Sequence, residues 1–162
     1  MGLRLSSDEA LEIAQRIEQN GARFYRRAAE LKSLEKEKEI LLKLAGMEDD
    51  HEKYFRTMQD ELSDAERSQK ALDPFGEMLM YLEAMADMSG GEGSLKAIES
   101  LTGDESLLTI LYKAIELEKE SILYYVGLKD MVPSESAKKK IDEIISEEKS
   151  HIVTLKKELD SL

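Results

Sequence analysis

The chain repeats one pattern of chemistry-bearing side chains at a fixed distance from itself. Glu18, Tyr25, Glu48 and His51 recur one hundred residues later as Glu118, Tyr125, Glu148 and His151. These two histidines are the only ones among the 162 residues. Each stands three residues after a glutamate, which on a helix puts both side chains on one face. Two copies of Glu…Tyr…Glu-x-x-His therefore constrain the chain to two equivalent helical halves that bring four carboxylates and two imidazoles together. That is the ligand set of a two-metal site inside a four-helix bundle.

The apolar spacing agrees. Leu11, Ala14, Ile17, Gly21, Phe24, Tyr25 and Ala28 recur at helical steps behind a Ser6/Glu9 capping box, which predicts a first helix from about Ser7 to Leu31. Ile40, Leu41, Leu44, Met47, His51, Tyr54, Phe55 and Met58 predict a second, capped by Ser33. Leu108, Leu111, Ala114, Ile115, Glu118, Ile122 and Tyr125 predict a third, starting from an N-cap at Asp104. Pro133 ends it, and Ser134 or Ser136 restarts the chain into a fourth helix carrying Ile141, Ile144, Ile145, Glu148, Ile152 and Leu155.

The turns fall where the motif requires them. Residue 33 lies midway between Glu18 and Glu48, and Pro133 midway between Glu118 and Glu148. An antiparallel hairpin in each half thus brings its two glutamates level, each about 22 Å from the turn at a helical rise of 1.5 Å per residue. Pairing the hairpins about a pseudo-twofold axis puts all six groups in one layer. Between them the 63–103 segment is a long crossover: Phe75, Met78, Leu79, Leu82, Met85 and Ala86 are spaced as an amphipathic helix after Pro74, and Gly90, Gly91 and Gly93 mark a joint. Its methionines read as filler for irregular apolar gaps. The expected architecture is all-α, a single domain of two hairpins with this partly helical crossover.

Composition narrows the partners and the metal chemistry. A net charge of −12 opposes nucleic acid and anionic membranes, whose recognition needs clustered Lys and Arg. With no cysteine there is no disulfide, thiolate zinc site or cysteine-held iron, so a metal must be bound by oxygen and nitrogen. No apolar run is long enough to span a membrane, and Met1 to Asp8 lacks the apolar core of a signal peptide. A cytoplasmic location is the expectation.

An interior layer of glutamates is costly without cations. Two divalent ions would cancel the charge of Glu18, Glu48, Glu118 and Glu148. The expected assignment gives one metal to Glu18 and His51 and the other to Glu118 and His151, with Glu48 and Glu148 bridging. Mixed carboxylate and imidazole ligation suits iron, with manganese as the alternative. Tyr25 and Tyr125, two turns beyond Glu18 and Glu118 on the same faces, are expected to hydrogen-bond ligating carboxylates of the opposite hairpin.

Through these same residues, Glu18 to Tyr25, Glu48 to His51, Glu118 to Tyr125 and Glu148 to His151, the chain resembles the ferritin-like superfamily and most closely its rubrerythrin branch. The resemblance implies a ferritin-like four-helix bundle with a di-iron centre, and a non-haem oxidoreductase that reduces hydrogen peroxide or dioxygen. It covers both hairpins and leaves residues 63–103 unmatched. Ser121 stands where typical rubrerythrins carry an additional ligating glutamate. The cysteine-bound iron domain of those proteins is also missing, so electrons would have to come from an external donor such as a rubredoxin. A homodimer is expected, and the long crossover would allow its hairpins to be exchanged. Three alternatives stay open: a ferroxidase or iron-storage protein, a manganese catalase-like protein, and an acidic interaction module. Only eleven residues follow His151, little room for the fifth helix of storage cages.

Overall fold

Helix boundaries follow local capping chemistry. The computed structural model describes residues 6–31, 35–67 and 98–162, and within the crossover Glu77, Met80, Tyr81 and Ala84. Helix α1 spans Ser7–Glu30; the Ser6 side chain accepts from the Glu9 amide while the Glu9 carboxylate accepts from the Ser6 amide. Helix α2 spans Glu35–Asp60, and the short α3 spans Asp64–Arg67. Helix α4 spans Leu107–Leu128 and α5 spans Glu135–Asp160, the latter capped by Ser134. Among the described residues there is no strand. Ser33, the Gly90–Gly93 joint and the apolar stripe of the helix expected after Pro74 (Phe75, Met78, Leu79, Leu82, Met85 and Ala86) lie outside them, while Glu77, Met80, Tyr81 and Ala84 of that stretch are helical.

One boundary differs from expectation. The N-cap of α4 is Ser106, whose hydroxyl accepts from the Thr109 amide. Asp104 lies in a separate turn in which the Glu105 carboxylate accepts from the amides of Thr102 and Gly103, and Gly103 takes a φ of 100°. That left-handed backbone, which glycine adopts without steric cost, keeps helical geometry from starting at Asp104.

Helix α1 packs along α2 and α4 along α5 as two hairpins, and the hairpins meet chiefly through α1 and α4. Two apolar clusters fill the bundle. One joins Ala10, Leu11 and Ala14 to Phe55, Tyr124, Tyr125, Leu128, Ile141, Ile144 and Ile145. The other joins Ile110, Leu111 and Ala114 to Leu155, Phe24, Tyr25, Ala28, Leu41, Leu44 and Ala45. Each of these members of one cluster stands one hundred residues from a member of the other. The start of α1 therefore packs beside the end of α4 and the start of α5, so α1 and α4 run antiparallel. The pseudo-twofold axis crosses the bundle between the two clusters, at the level of Glu18, Glu48, Glu118 and Glu148. Buried hydrogen bonds lock the arrangement: the Ser7 hydroxyl donates to the Met131 carbonyl, and the Tyr124 hydroxyl to the Ala10 carbonyl.

Candidate metal centre

Between the two apolar clusters lies a buried polar layer. Glu18 and Glu118 reach it from the middle of α1 and α4, and Glu48 with His51 and Glu148 with His151 from α2 and α5. All six side chains are at most 5% exposed, in a chain whose other carboxylates are mostly at the surface. The structure brings together every residue that the repeat singled out.

Their ligating atoms form two quartets. Glu18, Glu48, His51 and Glu148 offer one set and Glu48, Glu118, Glu148 and His151 the other, each with its ligand atoms within 4.8 Å of one another. Glu48 and Glu148 belong to both. His51 Nδ1 lies 2.9 Å from Glu148 Oε1 and 3.5 Å from Glu18 Oε2; His151 Nδ1 lies 2.9 Å from Glu148 Oε2 and 3.2 Å from Glu48 Oε1. The two imidazole rings face each other, 13° from parallel, with centroids 5.5 Å apart.

Despite these distances, the groups do not satisfy one another. Among the described residues, seven of the eight buried side-chain polar atoms without a hydrogen-bond partner belong to this layer, including Nδ1 of both histidines and both oxygens of Glu148. Buried orphans of this kind are rare, because each costs about 1–3 kcal/mol. Six-coordinate ions with bonds of about 2.1 Å hold neighbouring ligand atoms about 3 Å apart, the separation seen here. The donor set fits two divalent cations by distance, by charge and by its orphaned atoms.

The second layer holds the first in place. The Tyr25 hydroxyl donates to Glu118 Oε1 and the Tyr125 hydroxyl to Glu18 Oε1, each crossing to the opposite hairpin. Both phenols are completely buried, and burial together with the adjacent carboxylate charges pushes their acidity well below that of free tyrosine. They remain donors. Gly21, one turn after Glu18, faces Glu48: a Cβ there would sit 3.5 Å from Glu48 Cγ.

Protons occupy the layer when no metal does. Burial, then the charges of Glu148 and Glu48, raise the Glu18 carboxyl well above the ordinary range; burial and the same two charges raise Glu118. Burial opposes the imidazolium form of both histidines, but their carboxylate neighbours outweigh it. His51 is raised strongly, and His151 is pushed up to about 12. Metal binding must therefore release protons from the layer.

Two residues near the centre escaped the sequence reading. Glu147 Oε2 lies 2.8 Å from His51 Nε2, on the side of the ring away from the other ligands. Glu52 is buried beside His51 in sequence and is held by Arg56 and by Gln19 Nε2 at 3.3 Å. Nothing in a chain so rich in glutamate marks either one without knowledge of helix rotation.

Among the described residues no helix is long and apolar enough to cross a membrane. A solved structure from Thermotoga maritima, assigned as a ferritin-like diiron-carboxylate protein, is 29% identical; the match covers 99% of this chain and 98% of that one, with a TM-score of 0.76. No curated protein matches. The fold is ferritin-like. Residues 9–159, which include both Glu-x-x-His motifs and both tyrosines, match the rubrerythrin family, and the chain belongs to that family.

Proposed function

We propose that this chain holds two iron ions and reduces hydrogen peroxide or dioxygen with electrons from an external donor protein. The observation that carries the reading is the pair of buried quartets sharing Glu48 and Glu148. Glu18 and His51 would hold one ion and Glu118 and His151 the other, with Glu48 and Glu148 shared between them. Four carboxylate charges balance two divalent ions, so the loaded layer is neutral within its apolar surroundings. Family membership and the diiron-carboxylate assignment of the Thermotoga maritima protein support iron over manganese.

Two ferrous ions held there would supply the two electrons, each becoming ferric, that reduce peroxide with two protons to two waters. The chain's own residues hold and shield the centre. Tyr25 and Tyr125 fix the carboxylates of Glu118 and Glu18, and the clusters on either side keep bulk water away. These residues include no cysteine that could hold an electron-transfer iron, and the reading takes its electrons from an external donor such as a rubredoxin. A cytoplasmic setting, where reductant is available, and a homodimer belong to the same reading.

The test begins with elemental analysis of protein purified without added metal, together with its mass in solution. About two irons per chain in a small oligomer is expected; many irons per chain in a large shell would move the reading to storage. Two manganese ions would redirect it to catalase-like disproportionation. Ferrous-loaded protein should then consume peroxide, and His51→Ala and His151→Ala should each lose most of that rate. Undiminished consumption by both variants would overturn the assignment.

A further inference from the structure

We propose that Glu147 makes the two metal positions unequal by fixing the His51 imidazole in the orientation and tautomer that present Nδ1 to its ion. The inference rests on the two-metal reading above. A carboxylate can only accept, so the hydrogen bond between Glu147 Oε2 and His51 Nε2, at 2.8 Å, keeps the proton on Nε2. Nδ1 is left to face Glu148, Glu18 and Glu48. A carboxylate behind a ligating imidazole both orients the ring and raises its donor strength. Glu147 can fill this role at small desolvation cost, since its side chain is 47% exposed while the ring it holds is buried.

The other half of the centre is built differently. The position one hundred residues before Glu147 is Met47, a thioether that accepts hydrogen bonds only weakly. Among the described residues, His151 Nε2 is buried and has no hydrogen-bond partner. Every group in the inner layer has its twofold equivalent, yet among the described residues this support exists for one histidine alone. The ion held by Glu18 and His51 is thereby bound more tightly than the ion held by Glu118 and His151.

The experiment is an anaerobic titration of the metal-free protein with Co2+, followed by calorimetry and by the visible absorption of the bound ion. Wild type should take up two ions in two resolvable steps. His51→Ala and His151→Ala assign the steps, each removing one. Glu147→Met should weaken the His51 step by about 10- to 100-fold, the usual range for loss of such a partner, and leave the His151 step unchanged. Glu147→Gln, whose amide oxygen still accepts from Nε2, should retain much of the difference, and Met47→Glu should tighten the His151 step. Unfolding of the metal-free variants reports any general damage. Equal steps in wild type, an unchanged His51 step in Glu147→Met, or equal weakening of both steps would overturn the role of Glu147 while leaving the two-metal reading intact. No uptake of Co2+ by wild type would overturn both.

Discussion

The two hairpins agree inside and disagree outside. Facing the bundle axis, the α1–α2 hairpin supplies Glu18, Tyr25, Glu48 and His51, and the α4–α5 hairpin supplies the same four residue types at twofold-related positions. Away from the axis the likeness ends. Leu108, Tyr112, Leu123 and Val126 of α4 are about half exposed, where the equivalent residues of α1 are Asp8, Glu12, Arg23 and Arg26. Part of that apolar face meets the crossover, since the Tyr81 hydroxyl donates to the Leu123 carbonyl at 2.6 Å. Within the core the likeness is also incomplete, since Tyr124 bonds the Ala10 carbonyl whereas its equivalent Phe24 has no hydroxyl to offer. Identical chemistry is required only where side chains converge on a shared pair of ligands, and each outer face is free to follow its own neighbours.

The largest expected effect tests whether the inner layer works as one unit. Glu48 and Glu148 serve both quartets, but Glu18 and Glu118 serve one each. Glu148→Ala should therefore abolish uptake of both ions, and Glu118→Ala should leave one ion per chain with its His51 site intact. Metal content after ferrous loading and desalting separates the two. If Glu148→Ala still holds two ions, the shared role is wrong and the halves are independent.

A smaller effect tests the symmetry of the supports. Tyr25→Phe and Tyr125→Phe each remove one donor from a buried carboxylate, on Glu118 and Glu18 respectively. An unpaired buried acceptor costs about 1–3 kcal/mol, and the two geometries are alike, so both variants should lose stability by similar amounts in that range. Chemical denaturation of the metal-loaded proteins measures it. A large inequality would show that the pseudo-twofold relation stops at the ligands.

How much of this was legible in the sequence depends on the range of the interaction involved. The six inner residues could be read because histidine is rare here and because the same spacing occurs twice. The hairpins could be read because residue 33 and Pro133 fall midway between paired glutamates. Asp104 was a misleading cap: the Thr102–Gly103 turn, set by Glu105, postpones the helix to Ser106, and several good capping residues in a row cannot be ranked without that turn. Glu147 was illegible for a different reason. It is one glutamate among many on α5, and only the rotation of α5 against α2 turns it toward His51.

The smallest effect concerns a second place where the twofold relation is broken, beside the inner glutamates. Gly21 and Ser121 are equivalent positions, one turn after Glu18 and Glu118. Ser121 turns its hydroxyl to the Leu117 carbonyl at 3.1 Å, so that half keeps a side chain beside its glutamate. At Gly21 the backbone is helical, and an added Cβ would meet Glu48 Cγ at 3.5 Å and Cδ at 3.6 Å, ordinary contact distances. Neither strain nor close approach requires glycine there. A helical glycine costs about 0.5–1 kcal/mol relative to alanine through the freedom it gives the unfolded chain. Gly21→Ala should therefore stabilise the protein by about that amount, with metal content unchanged, as read by denaturation and elemental analysis. Loss of an ion would mean that Glu48 must swing into the space beside Gly21 when the centre fills, and that the first hairpin carries the movable bridge.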